Sequence, residues 1–170
     1  MDSVVSVAEI NDFLERDFPG NGNRCDQVGD GWAVALMRTD GINLRPGGII
    51  SGPTVFGVCD AALYYACFTR IGIEPMTLTS ELSIRFLRPA RGSELRARAD
   101  LHQVGRRSII GSIVAWTDDR AKPVAVAQGT YVRPTALRRA RAPRPMATIH
   151  GSVPARPVPV RCEFAVDRSR

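Results

Sequence analysis

One acidic side chain stands out as a candidate for chemistry. The stretch "SGPTVFGVCDAALYYACF", residues 51–68, is almost wholly apolar, and Asp60 is its one charged residue. Burying a lone carboxylate among apolar side chains is costly. A poorly solvated carboxylate is also a stronger base, which suits general-base catalysis. A structural alternative stays open, in which Asp60 caps a neighbouring loop or pairs with an arginine.

The element that must position Asp60 is a long helix, predicted over residues 53–71. Pro53 suits the first helical turn, Ser51 or Gly52 can cap it, and Gly72 ends it. Apolar residues lie on every face, which predicts that the helix is buried and that Asp60 is withheld from solvent.

The remaining elements are a short helix and several strands. Ser6 and Glu9 form a capping-box signature for a helix within residues 6–18. A first strand is predicted over residues 26–39, and alternating patterns predict four more at 77–87, 94–104, 108–117 and 123–132. Short turn signals between these four favour antiparallel neighbours. The sequence therefore predicts an α+β fold, with a meandering antiparallel sheet wrapped around one long buried helix.

Composition divides the chain into a domain and a tail. The net charge is +6, and residues 134–170 hold eight arginines against two acids, so the tail accounts for all of it. We predict one domain over residues 1–133 and a Pro/Arg-rich tail, extended or disordered, over residues 134–170. Nucleic-acid binding through the tail is the least favoured interpretation, because the domain itself has no basic bias. No membrane span or signal peptide is expected.

The cysteines and histidines argue against a metal site. The four cysteines lack C-x-x-C spacing and the chain has two histidines, so neither a zinc site nor a disulfide framework is expected. This cysteine usage suits a reducing cytoplasm. Cys59 and Cys67 are interpreted as buried packing residues.

The order of these features resembles a known family. A loop of small residues, a helix with one acid, and then "ELSIRFLRPARGSELRARADLHQVGRR" are similar to the hotdog-fold acyl-CoA thioesterases of the PaaI-like type, over about residues 26–133. The resemblance implies a hotdog fold, a homodimer or homotetramer, and hydrolysis of an acyl-CoA. It implies no separate cofactor, since coenzyme A is part of the substrate.

The resemblance also implies roles for three residues. Asp60 matches the family's acid, a general base or nucleophile; Gly52 matches the glycine whose N–H stabilises the oxyanion; Thr79 matches the hydroxyl that holds the attacking water. Ser51 stands where the family has histidine, and Pro53 stands where it has a second glycine, so one backbone donor is missing. Asp60 lies about two helical turns from Gly52, too far to serve the same carbonyl within one chain, and the resemblance implies a dimer in which each loop faces the other subunit's acid.

Several alternatives remain open at this level. Gly52 can simply allow the turn into the helix, and Thr79 can be an ordinary strand residue. A non-catalytic acyl-CoA-binding protein is the main functional alternative, and an enoyl-CoA hydratase or dehydratase, which would need a histidine beside the acid, is less favoured. Arginines suit the phosphates of coenzyme A, although surface arginines are commonly just solvated. The candidate substrate-binding residues are Ser51, Thr54, Arg88, Arg106 and Arg107.

Overall fold

The computed structural model describes residues 3–40 and 44–134, which form two helices and six strands. The tail predicted after residue 133 lies, apart from Pro134, outside the described residues. In chain order the elements are α1 (Val7–Asp17), β1 (Asn23–Gly29), β2 (Trp32–Arg38), α2 (Gly52–Ile71), β3 (Leu78–Phe86), β4 (Glu94–Val104), β5 (Ser108–Trp116) and β6 (Ala125–Val132).

The six strands form one antiparallel sheet in the order β1-β2-β4-β5-β6-β3. This confirms the predicted α+β architecture of a sheet packed against a single long helix. The single first strand predicted over residues 26–39 is wrong, because the structure has the hairpin β1–β2 there. Asp30 and Gly31 form its tight turn, and Gly31 takes a φ of +75°, which a glycine adopts without strain.

The predicted meander is also wrong, because β3 pairs with β6 and not with β4. The connection between them, residues 87–93, runs along one end of the sheet and is held by main-chain hydrogen bonds. Leu87 donates to Val124, Ile50 donates to Ala90, and Thr39 donates to Ser93. An extended connection of this length can pass the ends of β6 and β5 before it enters β4, so β3 becomes an outer strand of the sheet.

Helix α2 is confirmed within one residue of its predicted start. The Ser51 hydroxyl accepts from the Thr54 N–H at its beginning, and Gly72, with a φ of +77°, ends it. Most of the helix is buried against the sheet. One stripe at helical spacing is not fully buried, and it consists of Pro53, Phe56, Gly57, Asp60, Ala61 and Tyr64.

Two glycines bring α2 close to the sheet. Gly111 of β5 and Gly129 of β6 lie opposite each other in register, beneath the buried side chain of Leu63. A Cβ at Gly129 would lie 2.8 Å from Leu63 and 2.9 Å from the main-chain oxygen of Glu81. Only glycine fits at this approach, which sets the height of α2 above β5 and β6.

Helix α1 caps one edge of the sheet. Its predicted capping box is present, with Ser6 and Glu9 each bonding the other's main-chain N–H. The Asn11 amide pairs with both main-chain groups of Cys25 at 2.9 Å, so that it covers the outer edge of β1. Neither described helix is long and apolar enough to cross a bilayer.

Candidate functional site

Asp60 lies on the half-exposed stripe of α2, where two hydroxyl groups hold its carboxylate. The Thr79 hydroxyl donates to Oδ1 at 2.8 Å, and the Tyr131 hydroxyl donates to the same oxygen at 2.8 Å. Hydrogen bonds to an ionised acceptor are among the stronger ones in proteins. The structure thus brings together Asp60 and Thr79, both of which the sequence singled out, and adds Tyr131.

Asp60 is half-buried, so the expectation that apolar side chains enclose it is wrong. The reason is that the outer strand β3 covers α2 only in part, which leaves the stripe around Asp60 open on one side. Within the described part of the chain, no hydrogen bond reaches Oδ2. Asp60 borders a cavity of about 150 Å³ whose walls include four aromatic side chains, those of Phe18, Tyr64, Tyr65 and Tyr131.

The two donors to Asp60 come from neighbouring strands. Thr79 of β3 lies directly opposite Tyr131 of β6, so both side chains are presented at the same level of the sheet. The register of β3 shifts between Thr79 and Glu81, which inserts one extra residue just after Thr79. A bulge of this kind redirects neighbouring side chains and is common beside functional sites.

Tyr131 is fixed in its position. Its side chain is 3% exposed, and its ring stacks on that of Tyr64 with 5.7 Å between centroids. Burial raises the pKa of Tyr131 far above that of a free tyrosine, and the negative charge of Asp60 raises it further. The hydroxyl therefore stays protonated and remains a donor to Asp60. Sequence reasoning missed Tyr131, since an aromatic residue in a strand carries no sign of its cross-strand partner.

Gly52 lies at the other end of the same surface, as the first residue of α2. Its N–H finds no acceptor in the described part of the chain, and it points out of the positive end of the helix. A Cβ at Gly52 would lie 3.4 Å from the ring of Phe86, at the far end of β3. Ser51 and Thr54 hold each other through their hydroxyls at 2.8 Å, so both serve the helix cap; their predicted contact with substrate stays a prediction.

Of the three predicted arginines, one lies beside Gly52. Arg88 lines a cavity of about 320 Å³ together with Gly52, Phe86 and Arg45, and sequence reasoning missed Arg45. Arg106 and Arg107 are exposed in the turn between β4 and β5. The main chain of Arg107 bonds the residue after β6, which places this turn at the Thr79 end of the sheet.

The acid and the helix N-terminus lie at opposite ends of β3 in one chain. Asp60 is eight residues along α2 from Gly52, about 12 Å of helix. Their neighbours on β3, Thr79 and Phe86, are seven residues apart, about 23 Å of strand. A single carbonyl group cannot reach both Asp60 and the Gly52 N–H of the same chain.

Other reactive groups in the described residues do not join this site. Burial raises the pKa of Cys59 and Cys67 to about 12, so neither thiol forms a nucleophilic thiolate near neutral pH. His102 bonds Ser112 on the neighbouring strand at 2.7 Å and does not contact Asp60. Residues 3–40 and 44–134 contain no cluster of three side chains able to hold a metal ion.

Comparisons with known proteins agree with this architecture. The sequence profile of the thioesterase superfamily matches residues 47–124, a segment that includes Gly52, Asp60 and Thr79. A curated protein of Saccharolobus solfataricus with a provisional esterase name is 28% identical over 131 residues, which is 76% of this chain and 86% of that protein.

Solved structures extend the similarity to three dimensions. A protein of Silicibacter sp. TM1040 with a provisional thioesterase name is 28% identical and superposes with a TM-score of 0.73, over 79% of this chain and 96% of its own. The Escherichia coli PaaI protein from the phenylacetic acid degradation operon, at 22% identity, superposes with a TM-score of 0.63, over 76% of this chain and 94% of its own. At 22% identity, the similarity to the Escherichia coli PaaI protein shows a shared fold alone.

Proposed function

We propose that the chain is a thioesterase whose substrates are acyl-CoA thioesters, because the thioesterase superfamily profile matches residues 47–124 and a solved structure with a provisional thioesterase name shares its hotdog fold. We further propose that two copies of the chain build each active site. One observation carries this proposal. Asp60 and Gly52 of one chain lie near opposite ends of β3, a strand whose outer edge is uncovered in the described residues.

The second copy is proposed to pair through β3. This strand is bonded to β6 on one side only, and its other edge has no partner in the described part of the chain. Antiparallel pairing of two β3 edges about an axis near Leu82 and Ser83 places Thr79 of one copy beside Phe86 of the other. Asp60 of one copy and Gly52 of the other then lie at the same end of the joint.

The surface around β3 has the apolar character that such an interface needs. Phe56 is 38% exposed and Phe86 is 54% exposed, although both are large aromatic side chains. Together with Gly52, Pro53 and Ile84 they line an open apolar depression of about 410 Å³. A contiguous apolar patch of this kind is typical of a surface that a protein partner covers.

In the first chemical route Asp60 is a general base. Oδ2 takes a proton from a water molecule, whose oxygen attacks the thioester carbonyl carbon while the Thr79 hydroxyl oxygen accepts the water's other O–H. The carbonyl electrons move onto oxygen, and the N–H of the second copy's Gly52 stabilises the resulting oxyanion. The C–S bond then breaks, and the leaving thiolate receives the proton from Asp60.

In the second route Asp60 is a nucleophile. Oδ2 attacks the carbonyl carbon, the C–S bond breaks, and a mixed anhydride forms between Asp60 and the acyl group. Water then attacks the anhydride, releasing the carboxylic acid and restoring the carboxylate. The thiolate takes a proton from solvent. Both routes need the same oxyanion donor, and neither needs a resident cofactor.

Arginines at the proposed joint suit the phosphates of coenzyme A. Arg45 and Arg88 flank the cavity beside Gly52, and their guanidinium groups can each bind phosphate oxygens in a fork. Arg106 and Arg107 lie at the Thr79 end of the sheet. Antiparallel pairing places this end of the second copy beside the Gly52 end of the first, so the second copy's Arg106 and Arg107 lie at the same joint. We therefore keep all four as candidate contacts for the phosphates.

The experiment that tests this function is thiol release from short, long and aromatic acyl-CoAs by wild type and Asp60→Asn. Asparagine keeps the size of the side chain but cannot take the proton, so kcat should fall by about 10²- to 10⁴-fold. Circular dichroism and sedimentation should be unchanged. Undiminished turnover in Asp60→Asn would refute the catalytic role, and binding without turnover in wild type would favour a non-catalytic acyl-CoA-binding protein.

A further inference from the structure

Tyr131 has no role in either chemical route, although its hydroxyl contacts the acid directly. The geometry points to Tyr131 as a positioning residue that fixes which oxygen of Asp60 reacts. This inference rests on the proposed function, because it concerns the same carboxylate. It adds a residue from β6 to a site otherwise built from α2 and β3.

Both hydroxyl donors engage the same carboxylate oxygen. Thr79 and Tyr131 each donate to Oδ1 of Asp60 at 2.8 Å, and a hydroxyl has only one hydrogen to donate. Two donors arriving from different strands prevent the carboxylate group from rotating about its own axis. Oδ2 is therefore left as the oxygen that is free to work as base or nucleophile.

The two donors differ in how firmly they are held. Thr79 lies exposed on the outer strand β3, where its hydroxyl can exchange hydrogen bonds with a water molecule during the reaction. Tyr131 is 3% exposed and stacked on Tyr64, and its hydroxyl oxygen also lies 3.2 Å from the main-chain oxygen of Asp60. Tyr131 can thus hold Asp60 while Thr79 changes partners.

The first test compares Tyr131→Phe with wild type. The change removes only the hydroxyl, so Oδ1 keeps one donor and the carboxylate can rotate. We expect kcat to fall by about 10- to 100-fold and KM to stay within about twofold, because misplacement of a reacting group affects the transition state more than binding. Wild-type kcat in Tyr131→Phe, with Asp60→Asn impaired, would overturn the positioning role.

A matched control separates positioning from stability. Thr69 lies on α2, the helix that carries Asp60, and it is fully buried. Its hydroxyl donates to the Ala66 main-chain oxygen at 2.7 Å and accepts from the Gly31 N–H at 3.1 Å. Thr69→Val removes a buried hydroxyl away from Asp60, so thermal stability should fall while kcat stays unchanged. An equal fall of kcat in Thr69→Val and Tyr131→Phe would show a merely structural effect and overturn the proposal.

The double variant Asp60→Asn/Tyr131→Phe gives a second criterion. If Tyr131 acts through Asp60, its hydroxyl matters little once the carboxylate is gone, so the double variant should be as slow as Asp60→Asn alone. A further tenfold loss would mean that Tyr131 acts independently of Asp60. Full turnover in Asp60→Asn would instead refute the proposed function, so the two failures are distinguishable.

A spectroscopic measurement keeps the proposal testable if Tyr131→Phe does not fold. 3-Fluorotyrosine introduced at position 131 keeps the ring and the hydroxyl, and its fluorine resonance reports the surroundings of that hydroxyl. Asp60→Asn should move this resonance, because the charged acceptor is replaced by a neutral one. An unmoved resonance would show that the hydroxyl is not held by Asp60 in solution.

Discussion

The two ends of β3 carry different chemistry. At its beginning, Thr79 joins Tyr131 in holding the carboxylate of Asp60 beside a small aromatic cavity. At its end, Phe86 packs beside Gly52, where a helix N-terminus near two arginines offers an N–H that has no acceptor among the residues the structure describes. In the proposed reaction, one end supplies a base and the other supplies stabilisation for negative charge. Because about 23 Å of strand separates them, we propose that each end is half of a hydrolytic site.

After Asp60→Asn, the largest effect is expected from removing the donor at the Gly52 end. Gly52→Pro eliminates the N–H while suiting the first position of a helix, and Ser51 already has the extended backbone, φ −68° and ψ 151°, that proline requires before it. Loss of one oxyanion donor should lower kcat by about 10²- to 10³-fold, measured by thiol release.

Gly52→Ala is the control for this variant. It keeps the N–H, and its Cβ would lie 3.4 Å from the Phe86 ring, an ordinary contact. Its kcat should stay within a few-fold of wild type. If Gly52→Pro folded and turned over as fast as Gly52→Ala, the oxyanion role of this N–H would be excluded.

A smaller effect is expected from lifting α2 at the Asp60 end. Gly129→Ala would place a Cβ 2.8 Å from Leu63 and 2.9 Å from the main-chain oxygen of Glu81. Leu63 of the helix and the neighbouring main chain of β3 must then shift, at a cost of about 1–3 kcal/mol in the free energy of unfolding. Because Leu63 follows Asp60 by one turn, the hydroxyl contacts of Asp60 should lengthen and kcat should fall.

Denaturant unfolding and thiol release on the same preparation check this prediction. Wild-type stability in Gly129→Ala would contradict the claim that only glycine at this position allows the close approach of α2 to the sheet.

The smallest effect concerns the three cysteine thiols of the described residues, which take no part in either proposed chemical route. Burial raises the pKa of Cys25, Cys59 and Cys67 from the ordinary 9.0 to about 12. In a Cys162→Ser variant, the native protein should therefore take up no thiol reagent at pH 8, while the unfolded protein takes up three equivalents. Rapid labelling of the native protein would show an accessible thiolate.

The same raised pKa values predict how stability depends on pH. The unfolded chain loses its thiol protons near pH 9, whereas the folded chain keeps them until about pH 12. Between these values the unfolded state binds fewer protons, so the free energy of unfolding should fall as pH rises above about 9. Thermal unfolding at pH 8 and pH 10 measures this, and a higher midpoint at pH 10 would contradict it.

Local signals predicted most of the elements correctly. The bounds of α2 followed from Ser51, Pro53 and Gly72, which act within a few residues of themselves. The alternating pattern over residues 94–104 matched β4 at both ends. The hairpin β1–β2 was missed because the Asp30-Gly31 turn interrupts a run whose flanks share the same apolar character.

Contacts between residues that are distant along the chain could not be predicted from the sequence. The place of β3 beside β6 depends on main-chain bonds of residues 87–93 with three other segments, and none of these leaves a mark in the local pattern. The resemblance to thioesterases pointed to Asp60 and Thr79, and the structure places them in contact. Tyr131 could not be found, because only the register between β3 and β6 sets it opposite Thr79.

The most direct test of the shared site is complementation between two inactive chains. Asp60→Asn and Gly52→Pro chains carrying different tags are co-expressed, and the mixed dimers are isolated by both tags. One of the two sites in each mixed dimer then combines an intact Asp60 with an intact Gly52, so about half of the wild-type rate should return. Mixed dimers as inactive as either parent would contradict a site built from the two ends of β3 on different chains.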